Sequence, residues 1–268
     1  MNKFKVIIQL FIILLPLMVY PFLPPNLLWG LIAFLGDREI SGLKSSVGKV
    51  ISSSGLISLL LCLIISIIIL FIFRFINKEK TFNTGSGYFD YPIICYSIAG
   101  RILGYGRITL IRVPVYLQFK LLFKDMFPNI DSDSHPEKYD DPKINTYNMD
   151  EKSNEVNLIL SDTHQIETND LPDEKRSLPT IFIERTIGFT GNRTYNPKFT
   201  FAIRKETNTY RLKYKRVNVF ATTNTEHTKE IVSQSFNNGG RTGFKEVYVY
   251  EQGQADNDYA FVKAHRIL

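Results

Sequence analysis

The sequence predicts a membrane-anchored α+β protein: two amino-terminal transmembrane helices, then a largely antiparallel β-sheet domain with one main helix. Three observations predict it. Val50–Phe73 is charge-free, rich in Leu, Ile and Phe, and closed at once by Arg74, Lys78 and Lys80. At about 1.5 Å per residue such a run spans the roughly 30 Å hydrocarbon core of a bilayer. A second charge-free run, Val6–Leu35, precedes it, and from Glu155 onward β-branched and aromatic runs are separated by turn residues.

The run Val6–Leu35 is broken by Pro16, Pro21, Pro24 and Pro25. Each proline removes a backbone donor, so the pattern predicts a kinked helix from about Val6 to Phe22 and a break at Leu23–Pro25. Leu27–Leu35 then completes the crossing or lies at the interface, with Trp29 as anchor. A cleaved signal peptide would share Lys3, Lys5 and the apolar core, but the run is too long and no Ala-x-Ala-like site follows. Basic residues flank both ends (Lys3 and Lys5; Arg74, Lys78 and Lys80), while Arg38, Lys44 and Lys49 in the loop Gly36–Lys49 are offset by Asp37 and Glu39. The bias predicts a hairpin over 1–80 with both ends and the carboxy-terminal part in the cytoplasm. Cys62 and Cys95 form no disulfide framework, which favours a reducing compartment.

Residues 81–127 follow as a basic, apolar juxtamembrane segment, opened by the Asn/Gly/Ser/Thr linker Thr81–Gly87. Tyr88–Phe127 carries Arg101, Arg107, Arg112, Lys120 and Lys124, and has no acid between Asp90 and Asp125. It suits an anionic membrane surface, or else packs on the downstream domain. Gly100, Gly104 and Gly106 form no phosphate loop, because no Gly-Lys-Ser/Thr follows. Residues 128–153 read as a polar, acidic, mobile linker. Between Asp125 and Glu174, 14 acids face three lysines, a net of −11; with +6 overall, the rest carries +17. Asp131, Asp133 and Glu137 alternate as in a calcium loop, but the required glycine is missing and Pro136 intrudes.

The domain over 154–268 is predicted in the order β, β, β, β, α, β, β. Val156–Ser161 and Pro179–Ile187 read as strands, and Lys198–Arg204 with Tyr210–Thr222 as a hairpin turning at Lys205–Asn208. Thr223 and Glu226 form a capping-box pattern that opens a helix from about Asn224 to Phe236, with Ile231, Val232, Ser235 and Phe236 near one face. Asn237–Gly240 ends it. Phe244–Tyr250 and Tyr259–Arg266 are the last strands.

No catalytic pattern emerges. His135, His164, His227 and His265 form no His-x-x-x-His pair, no Gly-x-Ser-x-Gly occurs, and Cys95 reads as a packed thiol. The expectation is therefore no enzyme, no metal and no cofactor. Anion binding has better support. From Lys198 to Arg216 there are seven basic residues and one acid, Glu206. On the expected strand Arg211, Lys213 and Lys215 share one face, and Arg204, Lys205 and Arg216 extend this cationic stripe. Tyr195, Phe199, Phe201, Tyr210 and Tyr214 interleave and could stack on bases. Thr222, Thr223 and Thr225, between a strand and a helix start, form a second candidate anion site. Gly239–Gly243 reads as a tight turn.

Two spans followed by a small β-rich cytoplasmic domain is a layout similar to that of nucleotide-sensing membrane effectors of bacterial defence. It is also similar to that of small inner-membrane conjugation proteins, entry-exclusion proteins among them. These resemblances are of layout, and layout alone does not decide function. The first expectation is a non-enzymatic inner-membrane protein whose cytoplasmic domain docks a protein partner or a second copy. The alternative is an effector that senses a nucleotide or other phosphate ligand, and a membrane-bound enzyme is third.

Overall fold

Residues 2–19, 55–186, 193–236, 244–253 and 259–268 are described by the structure, a computed structural model. The expected break at Leu23–Pro25, Leu27–Leu35 with Trp29, the loop Gly36–Lys49 and the turns over 237–243 lie outside them. The chain forms two units, Met1–Phe82 with Ser97–Gly106 and Asn83–Tyr96 with Arg107–Leu268.

The first unit holds two apolar helices, α1 (Asn2–Val19) and α2 (Gly55–Asn77). They pack together, and Val6 and Ile13 of α1 and Cys62 and Ser66 of α2 are buried. Their outward side chains, such as Phe11, Ile68 and Phe71, stay exposed, as lipid-facing residues do. Among the described residues one helix, Leu59–Asn77 with a mean hydropathy of 3.1, is long and apolar enough to cross a membrane; Phe4–Val19 is shorter. The Gln9 and Asn77 amides exchange hydrogen bonds of 3.3 and 3.4 Å, placing the middle of α1 beside the end of α2.

Residues 97–106 clasp that end of α2. Arg74 Nη1 donates to the carbonyls of Arg101 (2.7 Å) and Ile102 (3.0 Å), and Asn77 Nδ2 to that of Leu103 (3.0 Å). The backbones then meet: Gly106 N–H donates to Asn77 C=O at 3.3 Å, and a Cβ on Gly106 would lie 1.7 Å from the Lys78 carbonyl oxygen. Gly106 is thus required by a close backbone approach rather than by phosphate. Replacing Gly106 with Ala is expected to cost about 1–3 kcal/mol, typical of an overpacked site. The check is the thermal midpoint of the detergent-solubilised chain, and an unchanged midpoint would contradict the clasp.

The second unit begins with α3 (Ile93–Ser97) and β1 (Arg107–Thr109), followed by α4 (Val115–Phe123) and β2 (Asn129–Asp131). β1 and β2 pair in parallel. The main sheet uses β3 (Lys143–Tyr147), β4 (Glu155–Ser161), β5 (Thr180–Glu184), β6 (Arg216–Ala221), β7 (Glu246–Gln252) and β8 (Phe261–Arg266). A short helix α5 (Asp173–Arg176), α6 (Pro197–Tyr210) and α7 (Thr225–Ile231) connect its parallel strands. The strand order is β3-β5-β4-β6-β7-β8. The four inner strands run parallel, and only the edge pairings β3–β5 and β7–β8 are antiparallel. The expected largely antiparallel sheet is thereby corrected. Every residue after the first in β4 and in β6 is buried, the pattern of parallel strands covered on both faces. One face packs Val156, Leu158, Leu160, Val217 and Val219 with Phe119, Phe199, Ile203 and Ile231; the other packs Ile159 and Phe220 with Ile166, Leu171 and Phe261.

Two further expectations change. The segment read as a mobile acidic linker contributes β2 and the edge strand β3, and it buries Asp140. The expected hairpin strand Lys198–Arg204 is instead part of α6. Asn196 caps that helix by accepting from Lys198 N–H at 2.9 Å, and Pro197 occupies its first turn. Its buried residues Phe199, Thr200, Ala202, Ile203 and Thr207 follow helical spacing, and a parallel crossover needs such a helix.

Candidate functional site

β4 leads toward β5 on one side and β6 toward β7 on the other, so the winding reverses between β4 and β6. In open parallel sheets ligands bind outside the carboxyl ends of the strands at such a reversal. Here the two ends continue pairing past the strands. Thr222 N–H donates to Leu160 C=O (3.1 Å), Thr163 N–H to Thr222 C=O (3.1 Å), and Asp162 N–H to Thr222 Oγ1 (3.2 Å). A cavity of about 760 Å³ opens above them.

The lining combines cations, hydroxyls and rings. Arg112 and Arg193 are exposed at it, with His164 beside Thr163 on the β4 side. Tyr88, Tyr116 and Tyr259 supply aromatic faces, and the Tyr259 ring stacks near His164 with centroids 6.2 Å apart. Two exposed guanidinium groups suit phosphate oxygens, which they can meet in bidentate fashion, and the rings suit a base. Burial, reinforced by a 2.7 Å bond to Asp90, pushes the Tyr116 hydroxyl well above its ordinary pKa and keeps it protonated. Burial likewise raises the Tyr88 pKa; Asp90 and Glu251 add to the rise and Arg193 opposes it. The lining acid Glu251 is hydrogen-bonded to His265 Nε2 at 2.8 Å. Arg112 sits at φ 59°, a left-handed backbone that disfavours side chains and recurs at functional sites.

A buried polar network holds the cavity floor. Arg185, 1 % exposed, bonds Asp140 Oδ1 at 2.7 Å and Asp162 Oδ1 at 3.2 Å. Asn196 N–H donates to His227 Nε2 (2.8 Å), which leaves Nδ1 to donate to Asp162 Oδ2 at 2.7 Å. The same carboxylate oxygen accepts from Asn224 N–H at 3.0 Å. Asn224 in turn caps α7 by accepting from His227 N–H at 2.8 Å, so the cap is Asn224 and not Thr223. Thr223 instead shares a 2.7 Å bond with Thr228. One aspartate thus ties β4 to β5 and α7.

The sequence-derived candidates divide. Thr222, Thr223 and Thr225 line the cavity. Arg204 and Lys205 lie on α6, and Arg211, Lys213 and Lys215 follow it in a turn, so the strand-face stripe expected of them does not form. Lys213 Nζ donates to Met149 C=O at 3.1 Å. Arg216 begins β6, six residues from Thr222 and so about 20 Å away along the strand. It pairs with Glu155 and Glu246, at 2.6 Å each. Tyr88, Arg112, Tyr116, His164 and Arg193 carry no such signal in the sequence. Only folding gathers them, and no local motif marks them.

Family comparison supplies the remaining observation. A model described as the SMODS- and Ubiquitin system-associated 2TM effector domain, SUa-2TM, matches residues 2–268. The chain belongs to this family. Membership in SUa-2TM makes it a membrane-associated effector domain. It overturns the expected role as a partner-docking protein of assembly, conjugation or entry-exclusion type, since the family is one of effectors. Two solved structures of the Acinetobacter baumannii Cap4 SAVED/CARF-domain containing receptor resemble this SUa-2TM chain at 12% identity. The one with the cyclic trinucleotide 2'3'3'-cAAA has a TM-score of 0.43 and covers 65% of this chain and 41% of its own. The one with 3'3'3'-cAAA has a TM-score of 0.44 and covers 65% and 42%. The chain thus spans less than half of the receptor's length. No curated protein matches the sequence.

Proposed function

We propose that this chain is a non-enzymatic membrane effector of bacterial defence whose cytoplasmic sheet domain senses a nucleotide. The observation that carries the reading is the cavity at the β4/β6 reversal, where Arg112 and Arg193 meet Tyr88, Tyr116 and Tyr259. Phosphates fit the guanidinium groups and bases fit the rings. The volume of about 760 Å³ lies within the roughly 300–1,000 Å³ typical of ligand pockets. Membership in a family of 2TM effectors supports an output at the membrane. Binding favours one arrangement of the domain over another, and the spans perturb the bilayer in the favoured state.

The test is full-length chain in dye-loaded vesicles, challenged with a panel of cyclic di- and trinucleotides. One of them is expected to bind and to release dye, and an Arg112→Gln/Arg193→Gln variant should do neither. A panel without binding, or a double variant that binds equally well, would sink the reading.

A further inference from the structure

The second unit carries an exposed surface that the cavity does not use. α6 turns Phe199, Ala202 and Ile203 into the core and leaves Phe201 64 % exposed on its other side. Leu212, just past the helix, is 87 % exposed, the highest value among the described large apolar side chains. Lys205 and Asn208 lie between them at helical spacing, Arg204 is adjacent, and all three are exposed. Lys215 follows in the turn, also exposed.

These cations differ from their neighbours. Lys198 pairs with Asp141 at 2.7 Å and Arg216 with two glutamates, whereas Arg204, Lys205 and Lys215 make no ion pair among the described residues. A soluble anion would find charge here but no use for Phe201 and Leu212. An anionic bilayer uses both: headgroups meet Arg and Lys while apolar side chains enter the headgroup–acyl boundary. As a member of a 2TM family the chain is also tethered to its bilayer, which raises the effective concentration of lipid around it.

We infer that the exposed side of α6, with Phe201, Arg204, Lys205, Leu212 and Lys215, docks on an anionic lipid surface. Docking restrains the sheet domain against the membrane in which the chain is anchored. It is independent of the cavity and stands whether or not a nucleotide binds there.

The test compares full-length chain, one copy per nanodisc, in phosphatidylcholine alone and in phosphatidylcholine with phosphatidylglycerol. Hydrogen exchange is followed over residues 197–215. Exchange is expected to be roughly tenfold slower in the anionic discs, consistent with a few Lys/Arg contacts to anionic lipid. The difference should vanish at high salt and in the Arg204→Gln/Lys205→Gln/Lys215→Gln variant, and Phe201→Ser/Leu212→Ser should reduce it. Exchange over β4 and β6 verifies the fold of each variant; if the triple variant fails that control, the salt titration of the unaltered chain decides. Equal exchange in the two lipids would overturn the inference. So would protection found only in discs holding two copies, which would assign the surface to self-association.

Discussion

Replacing Arg185 with Met is expected to lower the stability of the sheet domain by about 3–5 kcal/mol, the range for breaking a buried ion pair from one side. The side chain is 1 % exposed, and so is that of its partner Asp162; that of Asp140, its other partner, is equally buried. Removing the guanidinium strands two carboxylates in a low-dielectric interior, where neither regains water. Asp162 also holds His227 and Asn224, so the damage spreads to the start of α7 and to the cavity floor. The measurement is denaturant unfolding of the detergent-solubilised chain, followed by far-ultraviolet circular dichroism. A loss under about 1 kcal/mol would place the pair in the class of exposed ion pairs and contradict the burial.

Replacing Arg112 with Gly should separate binding from stability. At φ 59° an arginine occupies backbone space that glycine fills without penalty. Relief of that strain and the added freedom of glycine in the unfolded chain roughly cancel, so the unfolding midpoint should stay close to that of the parent. Nucleotide affinity should fall about 10- to 150-fold, as loss of a charge-assisted bond of about 1.5–3 kcal/mol implies. Titration calorimetry and a thermal melt on the same sample check both halves. A variant that binds normally removes Arg112 from the site. One that melts far lower makes the residue structural instead.

Several of these features are legible in one dimension. The span that becomes α2 announces itself by length and charge exclusion, because lipid leaves an isolated segment no choice but a helix. Runs such as Val156–Ser161 read as strands and are strands. Consecutive apolar residues such as Leu158, Ile159 and Leu160, which mark a parallel strand buried on both faces, are the signal for sheet direction, and the antiparallel expectation ignores them. Asn196-Pro197 is likewise a helix start in plain view, outweighed in the sequence by the alternation of Lys198–Arg204.

The basic residues from Lys198 to Arg216 are real as composition and misleading as a strand face. Their shared face assumes a period of two, but Arg204 and Lys205 lie on α6 and Arg211, Lys213 and Lys215 in the turn after it, leaving Arg216 to two glutamates at the far end of β6.

What this sequence determines by itself is whatever a single segment can satisfy alone: the membrane helix, strands such as β4, β5 and β7, and a helix after Thr223. These follow from backbone hydrogen bonding and the periodicity of burial within a few consecutive residues. Strand order, the β4/β6 reversal and the cavity depend on pairings between residues far apart in the chain, such as Asp162 with His227 and Asn224. Only the tertiary structure could decide them, because burial on both faces of β4 and β6 is energetically meaningful only once the covering helices are in place.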